Sequence, residues 1–154
     1  MTEEEFTRTV MQQIPYAETM GLEIARFEPD ALICRLPFDA DHIGNTQLPA
    51  LHGGALASAM EVAVTLEAVR RQLSFLKEAG DAPVEVDWAA LAAQLPVPVN
   101  VTVQYLRSAR DADVHLRAEV LKSGRRSSTV FCRLWQDDAG KPVASMTGVL
   151  VRSA

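Results

Sequence analysis

The stretch Leu51-His52-Gly53-Gly54 and the apolar run behind it, residues 55–69, decide the fold of this chain. The polar side chains within the run are few: Ser58, Glu61, Thr65 and Glu67. A helix formed by the run is therefore apolar around nearly its whole circumference, and a helix of this kind is buried. The sequence predicts a central helix around which the remaining elements pack.

Three of these polar residues share one face of the predicted helix. Ser58, Glu61 and Thr65 are spaced by three and then four residues, which places them on one stripe with Gly54 one turn before Ser58. On a buried helix this stripe would turn the Glu61 carboxylate inward, where a charge is costly unless it is paired or hydrogen-bonded. Two interpretations stay open: a carboxylate kept for chemistry, or a structural one bonded to backbone or to an arginine.

Gly53 and Gly54 stand where this helix begins. The first turn of a helix has N–H groups without intrahelical partners and carries the positive end of the helix dipole, and glycine lets a ligand approach the backbone closely. Such N–H groups would stabilise a thioester or ester carbonyl oxygen that gains negative charge during attack. A glycine pair also suits a simple tight turn, so the motif alone leaves both interpretations open.

The distance between these features predicts the assembly. Glu61 follows Gly53 by eight residues, which corresponds to about 12 Å along a helix. Both groups cannot reach one reacting carbon from a single helix. If they act on one substrate, the carboxylate belongs to a second copy of the helix across a symmetric interface, so the sequence predicts an obligate homodimer.

Composition limits the class of protein. With 154 residues, 48% of them hydrophobic, the chain fits one domain over residues 1–154. A net charge of −5 argues against a surface for nucleic acid or anionic membrane. Cys34 and Cys132 lie in strand-like runs and read as reduced core residues. The acidic start, residues 1–5, lacks the features of a signal peptide, and the central run is too interrupted to span a membrane, so we expect a cytoplasmic protein.

The order of predicted elements indicates an α+β fold. A capping box at Thr2 and Glu5 opens a short amphipathic helix that Pro15 ends, and a buried helix follows a hairpin and a loop. We expect one twisted antiparallel sheet wrapped around the central helix, with its last strands forming a meander. The predicted ranges are a hairpin at 22–27 and 31–36, a loop at 37–50, a helical continuation at 72–80, a short helix at 88–94, and strands at 99–107, 113–122, 127–136 and 142–152.

Several motifs of the chain resemble those of a known family. His52-Gly53-Gly54 is followed by Glu61 nine residues after the histidine and by Thr65 four residues later, and the motif Ser123-Gly124-Arg125-Arg126 precedes 137–140. These motifs and the element order resemble the hotdog-fold acyl-CoA thioesterases of the phenylacetate-pathway and 4-hydroxybenzoyl-CoA type. The resemblance covers most of the chain and implies a hotdog fold, a sheet wrapped around a long central helix.

The resemblance also implies a reaction and catalytic roles. It implies hydrolysis of an acyl-CoA thioester at a dimer interface, without metal or cofactor. The Gly53 N–H would polarise the carbonyl, and Glu61 of the other subunit would attack it or activate water. Thr65 would orient the carboxylate or the water. His52 would act near the thiolate leaving group or hold the loop in place.

The substrate-binding residues follow from the same resemblance. The family commonly has Asn or Gln six residues before the histidine, where this chain has Thr46 with an amide on either side. The arginine pair at the turn suits the phosphates of CoA, although solvated turn residues would look the same. The predicted substrate-binding residues are Asn45, Gln47, Gly54, Ser58, Arg125 and Arg126.

Alternative functions and partners are kept beside this one. A non-catalytic acyl-CoA sensor on the same fold is the main alternative. A hydratase or dehydratase would need a histidine paired with an acid in a different local pattern, which the chain lacks. Residues 72–95 form a longer segment than the family usually has there, and Phe75 or Trp88 would line the acyl pocket or contact a partner. We expect a homodimer that pairs further into a tetramer.

Overall fold

The structure is a computed structural model that describes residues 2–78, Gly80 and residues 93–152. In this part of the chain the helices are α1 (Glu3–Gln12), α2 (Pro15–Met20) and α3 (Gly53–Glu78), with a 3₁₀ turn at Ala40–His42. The strands are β1 (Glu23–Glu28), β2 (Ala31–Leu36), β3 (Ile43–Asn45), β4 (Ala50–Leu51), β5 (Val97–Tyr105), β6 (Val114–Ser123), β7 (Ser127–Trp135) and β8 (Ala144–Val151).

A six-stranded antiparallel sheet and the helix α3 form the main architecture, and β3 and β4, largely within the segment predicted as a loop, pair as a separate two-stranded sheet. Six strands pair in the order β1-β2-β6-β7-β8-β5, and α3 lies against the face formed by β2 and β5 to β8. The packing is close, because a Cβ at Gly148 on β8 would lie 3.3 Å from Val64 of α3. The predicted α+β hotdog fold, a sheet wrapped around a long central helix, is confirmed.

The predicted meander is correct for only part of the sheet. β6, β7 and β8 pair in succession, whereas β5 pairs with β8 and forms the edge. Val97 pairs with Val151, and Tyr105 pairs with Ala144. Short connections favoured pairing of β5 with β6, but the chain crosses from Tyr105 to β6 at the end of the sheet, where Leu106 and Arg107 donate to the carbonyl of Val143.

The first helices cover one end of the core. The predicted capping box is present, since the Thr2 hydroxyl accepts from the Glu5 N–H at 3.1 Å and the Glu5 carboxylate accepts from the Thr2 N–H at 2.7 Å. Val10 is buried on the inner face of α1. Pro15 does more than end α1, because it opens α2 at the first helical position, where a missing N–H costs nothing.

The central helix α3 is longer than the apolar run, because it includes the continuation predicted from residue 72. The carboxylate that α3 buries is also not the predicted one. Glu61 is exposed, so the prediction that it points into the core is wrong. The side that faces the sheet is taken by Met60, Ala63 and Val64, all fully buried. The buried carboxylate is that of Glu67.

Glu67 is compensated by arginines one turn further along α3. Its carboxylate accepts from Arg70 Nε at 2.7 Å and from Arg71 Nε at 2.9 Å. The same arginines donate to the carbonyls of Glu28 and Pro29 in the turn between β1 and β2, at 3.0 and 2.7 Å. This cluster fixes the β1–β2 hairpin to the second half of α3.

Replacing Arg70 by methionine is expected to lower the free energy of unfolding by about 3 kcal/mol, because it leaves a buried carboxylate with a single, partly exposed partner. Urea unfolding followed by circular dichroism measures the change. The matched control is Arg26→Met, which removes the exposed pair with Glu28 at 2.8 Å and should cost less than about 1 kcal/mol. Equal losses in the two variants would contradict a structural role for the buried pair.

Some predictions fall on residues that the structure does not describe. Trp88 and most of the predicted helix 88–94 lie outside the described residues, and residues 93–94 form a turn. That residues 1–154 are one domain with a long insertion at 72–95 stays a prediction. Within the described residues, no helix combines the length and the apolar character needed to cross a membrane.

Candidate active site

The backbone before α3 is held at two points. The Leu51 N–H donates to the Ala109 carbonyl at 3.0 Å, and the His52 N–H donates to the His42 carbonyl at 2.7 Å. The His52 carbonyl then accepts from Ala55 and Leu56 at 3.0 and 3.3 Å, the first bonds of the helix. His52 is therefore the N-cap residue of α3, and its position is fixed by elements far away in sequence.

The imidazole of His52 completes the cap. Its Nδ1 accepts from the Gly54 N–H at 2.8 Å, so Nδ1 carries no proton, and the neutral ring has its proton on Nε2. The side chain is exposed. His52 therefore offers a hydrogen-bond donor, Nε2–H, at the start of α3. The imidazole thus caps the helix, and both predicted roles of His52 stay predictions.

The two glycines differ in what they make available. The Gly54 N–H is committed to His52, and a Cβ at Gly54 would lie 2.9 Å from His52 Nδ1. Gly54 is thus needed for the cap. The Gly53 N–H makes no hydrogen bond to any described residue and lies at the positive end of the helix dipole. Gly53 is therefore the glycine that can donate to a ligand.

Tyr105 is a member of this site that the sequence did not reveal. Its hydroxyl donates to the Gly53 carbonyl at 2.9 Å. Its ring lies close to the same residue, because a Cβ at Gly53 would be 3.1 Å from two ring carbons. Tyr105 ends β5, and only the pairing of β5 with β8 brings it to the start of α3. No spacing in the sequence points to that contact.

The predicted stripe is present on the exposed side of α3. Gly54 and Glu61 are exposed, and Ser58 and Thr65 are half-buried. The Ser58 hydroxyl donates to the Gly54 carbonyl at 2.7 Å, and the Thr65 hydroxyl donates to the Glu61 carbonyl at 2.8 Å. Because each hydroxyl proton is used within the helix, each oxygen can only accept from a ligand or water.

A cavity of about 360 Å³ opens beside the middle of this stripe. The Glu61 carboxylate borders it and makes no hydrogen bond or ion pair with any other described residue. An unpaired carboxylate beside apolar side chains is a candidate for chemistry. Four of the lining residues, on α2, on α3, on β5 and before α2, were not predicted as site residues from the sequence. The lining residues are Ile14, Tyr16, Ser58, Glu61, Val62, Thr65 and Pro98.

Gly53 and His52 do not line that cavity. They share α3 with Glu61, and the eight residues from Gly53 to Glu61 again correspond to about 12 Å. One chain therefore carries two separate groups of candidate residues, an N–H and imidazole at the start of the helix and a carboxylate two turns along. The chain does not bring them to one point.

The loop before α3 places the predicted amides at the surface. The Asn45 side-chain oxygen accepts from the N–H groups of Gln47 and Leu48 at 3.0 and 3.2 Å, which closes a turn. The Gln47 carboxamide is exposed and unbonded among the described residues. Asn45 thus has a structural use. Contact of Asn45 or Gln47 with substrate stays a prediction.

Arg125 and Arg126 occupy the turn between β6 and β7. Both are exposed, and neither forms an ion pair within the described part of the chain. The turn lies at the sheet end where Val97 pairs with Val151, the same end as Pro98. Nearby, the Arg152 guanidinium lies 6.0 Å from the ring of Phe75, which is 55% exposed.

The cysteines are not suited to act as nucleophiles. Both are fully buried and free. Burial raises the pKa of the Cys34 thiol to about 12, with a smaller contribution from the Glu67 charge, and burial raises the pKa of Cys132 well above its ordinary value. A nucleophilic cysteine is a thiolate, so neither cysteine is suited to that role.

Comparison with known proteins identifies the family. The sequence profile described as Thioesterase superfamily matches residues 48–143, more than half of the chain. The chain belongs to the thioesterase superfamily. The matched segment contains α3, the stripe and the start of the helix, so the predicted resemblance to hotdog thioesterases is confirmed. None of the curated proteins matches this member of the thioesterase superfamily.

Solved structures agree with this assignment. A Shewanella oneidensis protein related to the thioesterase superfamily is 25% identical, with 98% of this chain and 97% of that chain covered and a TM-score of 0.77. A conserved protein from Pseudomonas aeruginosa is 29% identical over 90% and 93% of the two chains, with a TM-score of 0.65. A mutant of the phenylacetic acid degradation protein PaaI from Thermus thermophilus shares the fold at 23% identity, 90% and 99% coverage and a TM-score of 0.67.

Proposed function

We propose that this protein hydrolyses an acyl-CoA thioester to a free acid and CoA at sites between the subunits of a homodimer. The observation that carries the proposal is the Glu61 carboxylate, which borders a largely apolar cavity without a bonding partner among the described residues. Such a carboxylate is suited to act as a base or a nucleophile. Membership of the thioesterase superfamily supports a thioester as the substrate.

The homodimer follows from the separation of the two groups on α3. A carbonyl bound at the Gly53 N–H needs a carboxylate that its own helix cannot supply. A second α3 lying alongside, related by two-fold symmetry, would bring its Glu61 to the start of the first helix. Each dimer then contains two equivalent sites, and each site takes its N–H from one subunit and its carboxylate from the other.

The exposed edge strand β5 supports this arrangement. Val97, Val99 and Val101 on it are 55%, 59% and 38% exposed, and an apolar edge strand of this kind requires a partner. Two-fold pairing of β5 with its copy is antiparallel. The Tyr105 end, which contacts Gly53, would therefore face the end that carries Pro98 of the partner subunit, beside the cavity of Glu61.

The register of that pairing is limited by the first half of the strand. Pro98 lacks an N–H, and the pairing with β8 shifts register between Pro98 and Asn100. A second strand would therefore bond to residues 100–105. Pairing of two dimers would use another surface, the sheet face opposite α3, where Phe131, Trp135 and Val149 are only half-buried.

Each residue then has a role in the reaction. The Gly53 N–H and the helix dipole stabilise the oxyanion that forms on the thioester oxygen. Glu61 of the other subunit takes a proton from water as the water adds to the carbonyl carbon, or it attacks that carbon itself and forms an anhydride that water hydrolyses once the thiolate has left. When the C–S bond breaks, the thiolate leaves beside His52, whose Nε2–H donates a hydrogen bond to it. Thr65, whose proton is used, accepts from the water and so orients it.

CoA would lie across the same interface. Arg125 and Arg126 are at the sheet end of Pro98, so their guanidinium groups would bind CoA phosphates on the subunit that supplies Glu61. The exposed amides at Asn45 and Gln47 are then close to the start of the other helix, where the thioester binds. The acyl group would occupy the cavity beside Glu61.

The location proposed for this reaction is the cytoplasm. Cys34 and Cys132 are free and buried. Unpaired thiols are the normal state of cysteine in a reducing compartment. Free acyl-CoA substrates fit the same location.

Purified protein is expected to release free thiol from acyl-CoA, because the dimer contains both halves of the site. The assay offers aryl, short, medium and long acyl-CoA thioesters and follows thiol release, and the particle mass is measured by light scattering at the assay concentration. If calorimetry shows that acyl-CoA binds but no thiol is released, the protein is a non-catalytic acyl-CoA sensor and the proposed hydrolysis is wrong. A monomer that turns over would contradict the shared site.

A further inference from the structure

A continuous path of hydrogen bonds connects Tyr105 to His52. The Tyr105 hydroxyl donates to the Gly53 carbonyl at 2.9 Å. That carbonyl and the Gly54 N–H belong to one peptide group, and the N–H donates to His52 Nδ1 at 2.8 Å. Two hydrogen bonds therefore act on opposite sides of the same peptide.

Hydrogen bonds arranged in this way strengthen each other. A donor on a carbonyl polarises the peptide, so the N–H of the same peptide becomes a better donor. The Tyr105 hydroxyl therefore strengthens the bond from Gly54 to His52. That bond requires a lone pair on Nδ1 and so favours the ring with its proton on Nε2.

We propose that Tyr105 is a positioning residue that holds His52 in the Nε2–H form through the Gly53–Gly54 peptide. The inference rests on the proposed function, in which the Nε2–H stabilises the leaving thiolate. Without the hydroxyl, the Gly54 N–H is a weaker donor, so the Nδ1–H form, which meets that N–H donor to donor, becomes less unfavourable. In that form Nε2 has no proton to donate to the thiolate.

The hydrogen bond of the Tyr105 hydroxyl can be removed without removing the packing contact of its ring. The ring lies against Gly53, and a Cβ there would be 3.1 Å from two of its carbons. Phenylalanine keeps this contact and removes only the donor. Tyr105→Phe therefore tests the hydrogen-bonded path, with little change expected in the fold.

The Tyr105→Phe variant is expected to lower kcat for acyl-CoA hydrolysis about twofold, with KM unchanged, because loss of the first donor weakens the next hydrogen bond of the path by about 10–30%. The nitrogen NMR shifts of His52 should move from the Nε2–H pattern toward a mixture of the two tautomers. The spectrum is simple because the chain has 3 histidines, and His52→Gln assigns the signals. The matched control is Thr9→Val, which removes a hydroxyl that donates to a backbone carbonyl on α1 at 2.8 Å.

Two results would overturn the inference: His52 shifts in Tyr105→Phe that match the wild type, or a kcat equal to that of Thr9→Val. If the wild-type protein releases no thiol from any acyl-CoA, the proposed function fails instead. In that case, the His52 nitrogen shifts of the wild type and of Tyr105→Phe still show whether Tyr105 controls the tautomer of the imidazole. The two failures are therefore distinguishable.

Discussion

Replacing Glu61 by glutamine is expected to lower kcat for acyl-CoA hydrolysis by about 10²- to 10⁴-fold, the usual worth of a base in proton transfer. The amide has nearly the same size but neither accepts a proton nor attacks a carbonyl at neutral pH. Glu61 is exposed and unbonded among the described residues, so the substitution removes no structural contact there. Stopped-flow measurement of thiol release, with KM determined separately, gives the loss.

A matched carboxylate far from the site provides the control. Glu23 is exposed on β1, at the sheet edge opposite β5. Glu23→Gln makes the same change of charge and should keep the wild-type rate. Thermal unfolding of both variants checks that neither fold is altered. If Glu61→Gln turns over as fast as Glu23→Gln, Glu61 is neither base nor nucleophile, and the proposed mechanism is wrong.

Mixing two inactive variants is expected to restore about one quarter of wild-type activity, because each site is shared between subunits. One variant is Glu61→Gln, and the other is Gly53→Pro, which deletes the N–H at a position where helices accept proline. After exchange in equal amounts, half of the dimers are mixed. Each mixed dimer has one site with both groups intact and one with both lost.

Gly53→Ala is the control for the proline variant. Both substitutions add the Cβ that approaches the Tyr105 ring, but alanine keeps the N–H. Gly53→Pro alone should lose about 10²- to 10³-fold in kcat, the cost of one oxyanion donor, and Gly53→Ala should lose much less. If the mixture shows no more activity than its two components while light scattering shows mixed dimers, each site lies within one subunit and the shared site is excluded.

The sequence predicted the long elements well because their signals are local, whereas it missed α2 and the short strands β3 and β4. The capping box at Thr2, the apolar run of α3 and the alternating strands each depend on neighbours within a few residues. That Ser58, Glu61 and Thr65 share one stripe also follows from helix periodicity, and α3 places them together. The family resemblance depended on the same local spacing, from His52 to Glu61 and Thr65.

What the sequence missed depends on contacts between distant segments. The inward orientation expected for Glu61 was wrong because an apolar run does not tell which side of a helix meets the sheet. The charge that is buried, Glu67, has its arginines three and four residues later, a spacing at which side chains on a helix meet. Tyr105 reaches Gly53 only because β5 pairs with β8 at the edge of the sheet, and no local pattern encodes that pairing.

The two halves of α3 have different roles. The residues that anchor the helix to the β1–β2 turn, Glu67 and Arg70, lie beyond Thr65, and the candidate reactive groups all lie before it or at it. Mutations that reshape the first half to accept another acyl chain therefore leave this anchor intact. Variation along the exposed stripe is therefore compatible with an unchanged attachment of the helix to the hairpin.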